Sequence, residues 1–147
     1  MADFWYSIVA EYVNPDDAFK WEIEMWARWL YPYIQPRLNR TMNIQGDDVA
    51  TVFKTLQIMP DGGEDIYVMD WYLENKDHGI LTLQVCRPLL FLENEGKGRK
   101  AILCPQMELA CFSMVAEFVN PDIKVMALKI PPRKSKDEIA CQWEFKL

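Results

Sequence analysis

The sequence predicts an α+β fold, with a helical N-terminal half followed by an antiparallel β-sheet of about four strands that has helices packed on one face. Three observations carry this expectation. Apolar residues recur at helical period as far as Met59. The period then falls to two in four separate stretches of the second half. Turn-forming residues lie between these stretches rather than inside them. With 147 residues, half of them hydrophobic, the chain can bury a real core as one domain, 1–147. Its parts are a helical half, 1–60, and a hairpin, helix and two strands over 61–147.

The elements follow in order. "FWYSIVAEYV" reads as a first helix. Asn14 can then cap, and Pro15 open, a second one. Phe19, Ile23, Trp26, Leu30 and Ile34 form one stripe of that helix, and Trp21, Met25 and Trp29 form a second ridge rotated away from it. Such a helix is covered on two sides, by the rest of the fold, by a second copy of the chain or by an apolar molecule. Pro32 and Pro36 are expected to bend or end it. A third helix starts near Asp47, buries Val49, Val52, Phe53, Leu56 and Met59, and stops before the turn "PDGGED".

Two-residue alternation begins with "IYVMDWYLE", where Tyr67, Met69, Trp71 and Leu73 share a face. "GILTLQVCR" continues it, joined by the hairpin turn "NKDHG". A helix begins around "CPQMELAC", and "DIKVMALKI" and "IACQWEFKL" form the last two strands, with Cys141, Trp143 and Phe145 on the core face. "SIVAEYVNPD" (7–16) and "SMVAEFVNPD" (113–122) differ at two positions. They read as two helix endings in which Asn turns left-handed and Pro blocks continuation.

Composition excludes some functions. A net charge of −6 is the wrong sign for a nucleic-acid binder. No apolar run approaches the ~20 residues of a membrane span. The first residues carry Asp3 where an export signal is basic, so the expected setting is the cytoplasm, where thiols stay reduced. The single histidine, His78, falls in the hairpin turn, where a solvated turn residue is the simplest reading. Lys97, Arg99 and Lys100 in "GKGRK" offer an anion cradle, though such loops are mostly connectors. Asp16/Asp17, Asp47/Asp48 and Glu64/Asp65 fall at caps and turns and read as structural.

The four cysteines carry the chemical question. On one straight helix, Cys104 and Cys111 would stand about 10 Å apart along the axis. Two sulfurs on one zinc ion need roughly 4 Å. Pro105 makes Cys104 the expected N-cap, where the helix dipole favours the thiolate. Cys111, in the stripe Met107, Cys111, Met114 and Phe118, reads as core. Cys86 alternates with Thr82 and Gln84, away from the core, unless a bulge before Pro88 turns it inward.

The ending "VMALKIPPRKSKDEIACQWEF" and the cysteine order Cys86, Cys104/Cys111, Cys141 resemble the four-vinyl-reductase-like domains and the neighbouring aminothiazoline-carboxylate-hydrolase-like group, over residues 65–147. The resemblance implies an α+β cytosolic domain with a metal or small hydrophobic ligand site; the histidines and glycines that often accompany those cysteines are missing here. The expected function is accordingly a cytosolic binding domain. Cys86, Cys104 and Cys141 would hold a thiophilic ion such as zinc, or Trp26, Trp71 and Trp143 would wall a small hydrophobic molecule. The alternatives are a hydrolase-like enzyme with Cys104 as nucleophile, and an interaction domain with inert thiols. The Trp21/Met25/Trp29 ridge adds a further candidate partner, a second copy of the chain in a homodimer.

Overall fold

The computed structural model describes residues 9, 12–59, 66–96 and 103–147. Most of the first expected helix, the "PDGGED" turn with Glu64 and Asp65, and Lys97, Arg99 and Lys100 lie outside the described residues. The architecture is α+β, as expected. Asn14 opens the helical half: its side chain accepts the Asp17 N–H at 3.0 Å, and Pro15 follows it.

Helix α1 (Pro15–Ile23) passes through a π-helical stretch (Glu24–Leu30) into α2 (Tyr31–Thr41). Of the two outcomes expected at Pro32 and Pro36, a bend or an end, the helix does not end; it runs through both prolines. In the π stretch the Tyr31 N–H reaches back five residues to the Trp26 carbonyl. This wider turn shifts the carbonyls that a proline ring would strike, and it absorbs the missing donor. The same device recurs at Pro105, inside a second π-helical stretch, Leu103–Glu108.

Helix α3 (Val49–Gln57) begins at the Asp48 cap, whose carboxylate accepts the Thr51 N–H at 2.8 Å. Its five predicted core residues, through Met59, are all buried. Strands β1 (Tyr67–Asn75) and β2 (His78–Cys86) form a hairpin with Asn75 opposite His78. One helix, α4 (Arg87–Glu95), lies beyond the sequence expectation. Helix α5 (Leu109–Val119) and strands β3 (Lys124–Lys129) and β4 (Cys141–Lys146) complete the chain.

The sheet order is β1-β2-β4-β3, antiparallel throughout. Helices α3 and α5 cover one face. Phe53 meets Phe145 edge-on at 5.2 Å and Phe112 meets Trp143 at 5.4 Å. Phe53, Trp143 and Phe145 are almost fully enclosed, each contributing about 1.5–3 kcal/mol of apolar burial. The opposite face is tied by polar pairs, Gln84 to Asp70 at 2.6 Å and Gln142 to Thr82 at 2.9 Å. Leu73, expected on the inner face, is exposed near the hairpin end of the edge strand β1.

The two "VNPD" copies differ from expectation as well. Asn14 and Asn120 both have extended backbones, not left-handed ones. Each uses its side-chain oxygen to accept a nearby N–H, Asn14 to start a helix and Asn120 just after one ends.

Candidate functional site

The site grows from a one-residue irregularity in β2. Val68 pairs with Val85, but Met69 pairs with Leu83, so Gln84 is the extra residue of a bulge. Leu81 and Leu83 face the core, Gln84 and Val85 both face outward, and Cys86 returns inward, 1% exposed. Strict alternation, which put Cys86 beside Thr82 and Gln84, is overturned by the bulge that the approach of Pro88 suggested.

Cys86 then does what was expected of Cys104. It is the N-cap of α4, and its sulfur accepts the Leu89 N–H at 3.4 Å. Cys104 instead lies within the π-helical stretch beside Pro105. The thiolate expected at a cap is therefore not favoured there. Its S–H bonds to the Cys141 sulfur and it is buried, and both effects push its pKa well above the ordinary thiol value; the charges of Cys141, Glu108 and Cys86 add to this. A thiol held protonated is a poor nucleophile.

Cys141 is the hub. Its sulfur is the partner of the Cys104 thiol and also accepts the Trp143 indole N–H at 3.1 Å. All three predicted sulfurs, Cys86, Cys104 and Cys141, lie in the main core, each at most 1% exposed. Cys111 is buried in the main core, as expected of it. Among the described residues, no three His, Cys, Asp or Glu side chains are arranged to hold a metal ion. A four-donor zinc centre is therefore not preformed among them.

The tryptophans do not converge. Trp26 packs on Tyr31 with ring centroids 5.8 Å apart, Trp71 meets Phe53 at 5.1 Å, and Trp143 is fully buried in the core. Of the three, Trp71 alone lines a cleft formed together with Tyr31, Met69, Leu83, Glu108 and Phe112. That cleft encloses about 30 Å³, room for a few waters at most and far below the several hundred Å³ of a typical ligand pocket. No cysteine lines it; two of its lining residues are linked to the cysteines, Leu83 by pairing with Cys141 across the sheet and Glu108 by its charge acting on Cys104.

Three polar groups carry more weight than the sequence suggested. Glu108 is 7% exposed; its place one helical turn after Cys104 was a usable signal. Arg133 lies in the stretch "PPRKSKDE", which reads as a polar linker, yet it forms a bidentate pair with Glu93 (2.9 and 2.8 Å). Both side chains are nearly enclosed, at 3% and 10% exposure. His78, expected to be a solvated turn residue, opens β2 half-buried. Its Nε2 meets Glu144 at 2.8 Å and its Nδ1 meets Glu74. These carboxylates, Glu144 first, raise its pKa above the ordinary value.

Comparison with protein-family models, curated proteins and solved structures finds no match. No helix among the described residues is long and apolar enough to cross a membrane.

Proposed function

We propose that this chain is a cytoplasmic binding domain for a thiophilic ion, with Cys104 and Cys141 as the sulfur donors and Cys86 beside them. The single observation that carries the reading is the burial of both sulfurs in one core, with Cys141 as the largest influence raising the Cys104 pKa. A soft ion held by both sulfurs as thiolates would displace both thiol protons. The Trp143 N–H would go on donating to the Cys141 sulfur and hold its orientation.

Donor number decides which ion suits the pair. Zinc asks for a third and a fourth donor, which would have to come from Cys86 and Glu108 after rearrangement. A soft monovalent ion such as Cu(I) is satisfied by two thiolates. The apolar-ligand reading has less support, since the cleft is too small.

The experiment is elemental analysis of protein purified without chelator, followed by competition titration with Cu(I) and zinc chelators. The expected result is one ion per chain, lost in Cys104→Ser and Cys141→Ser. Substoichiometric ion in the wild type together with no competition for Cu(I) or zinc would overturn the proposal.

A further inference from the structure

The long first helix carries a row of residues four apart on its outward side: Asp17, Trp21, Met25, Trp29, Tyr33 and Arg37. Trp21, Trp29 and Tyr33 are 55%, 74% and 61% exposed, and the Asp17 side chain is 46% exposed. The core-facing side of the same helix is closed, with Ala18, Glu22, Tyr31 and Gln35 buried. A monomer rarely leaves so much aromatic surface along one line in water.

The π stretch shapes this row. In an unbroken α-helix, residues four apart drift about 40° per step around the axis. The π stretch has more than four residues per turn, so across Glu24–Leu30 the drift runs the other way and part of it is recovered. The row therefore winds less than an α-helical one, over a length of about 30 Å. Arg37 extends it, its guanidinium 3.7 Å above the centre of the Tyr33 ring.

Read backwards, the row matches itself. Set antiparallel to a copy, Asp17 faces Arg37, Trp21 faces Tyr33, and Met25 faces Trp29, then each again in reverse. Glu24 and Arg28, paired at 2.6 Å beside the row, also come within about one helical turn of the copy's Arg28 and Glu24. Acid meets base at both ends and apolar groups meet in the middle, which is what a twofold interface requires. We propose that two copies of this chain associate antiparallel through this face.

The test is sedimentation velocity of the full chain over a range of concentrations. The wild type should show reversible dimer formation. Asp17→Lys and Arg37→Glu should each weaken it about tenfold or more by placing like charges at both ends. An equimolar mixture of the two variants should associate again, because the cation introduced in one copy would then face the carboxylate introduced in the other. Trp29→Ser should weaken association with the far-ultraviolet signal unchanged. A wild type monomeric at every concentration, or a mixture no tighter than the single variants, overturns the proposal. The Asp17 carboxylate also accepts from the Asn14 side-chain amide at the helix cap. If Asp17→Lys frays the helix, Arg37→Glu and Trp29→Ser decide alone: unchanged association in both overturns it.

Discussion

Replacing Gly79 with alanine tests the packing between the sheet and α3. Gly79 lies on the inner side of β2, and a Cβ there would stand 2.7 and 2.9 Å from two carbons of the Phe53 ring and 2.9 Å from the Tyr72 carbonyl oxygen. Ordinary contact begins near 3.4 Å, so both neighbours must yield by half an ångström or more. Neither can do so cheaply. The oxygen is backbone within the hairpin, and Phe53 is held between Trp71 at 5.1 Å and Phe145 at 5.2 Å. Overpacking of this kind costs about 1–3 kcal/mol. The reduced freedom of the unfolded chain returns about 0.4–1 kcal/mol, leaving a net loss of about 1–2 kcal/mol. For a chain of this size that lowers the melting midpoint by about 3–8 °C. Urea unfolding of Gly79→Ala, alone and combined with Phe53→Leu, measures it. The smaller side chain should abolish most of the alanine penalty, a coupling that a double-mutant cycle isolates. An unchanged penalty in the Phe53→Leu background would refute the reasoning.

Two further outcomes are expected. The His78 pKa is raised on folding, so the stability from its clamp by Glu144 and Glu74 is complete below its ordinary value of 6.5. It is lost as pH climbs through the raised value. Urea midpoints measured across this range should therefore fall on the alkaline side, and His78→Gln should flatten that slope. Arg133→Met leaves Glu93 buried without its cation and should cost about 3–5 kcal/mol. Adding Glu93→Leu should recover much of this, as read by urea denaturation.

How much is legible in the sequence depends on how local the cause is. The strands stand out because alternation is a property of neighbouring residues: Leu81 and Leu83, and Cys141, Trp143 and Phe145, are buried as their spacing requires. The α3 core face is equally clear. The prolines mislead because the sequence offers no local sign of a π turn, and a π turn is what lets Pro32 remain inside a helix. Helix α4 does carry signals, with Pro88 in its first turn, Leu89 and Leu92 three apart, and Gly96 left-handed at its end. They are short and overshadowed by the glycine-rich loop that follows. The nearness of Cys104 to Cys141 can be proposed from residue type, but it depends on where the π-helical stretch Leu103–Glu108 lies against β4. No spacing within either segment encodes that. The Arg133–Glu93 pair is invisible for the same reason, since it joins residues forty positions apart.

The sulfur at position 86 also serves as a mechanical joint. It anchors the start of α4 by accepting from Leu89, and Glu93 near the other end of that helix grips Arg133, which in turn holds the Lys136 and Glu138 carbonyls. An ion that recruited Cys86 would compete with the Leu89 N–H for sulfur electrons and slacken the first turn of the helix. Occupancy at the interior would then be felt as tension or release in the surface segment 133–138. A chemical event at a buried sulfur would thereby acquire an outward readout.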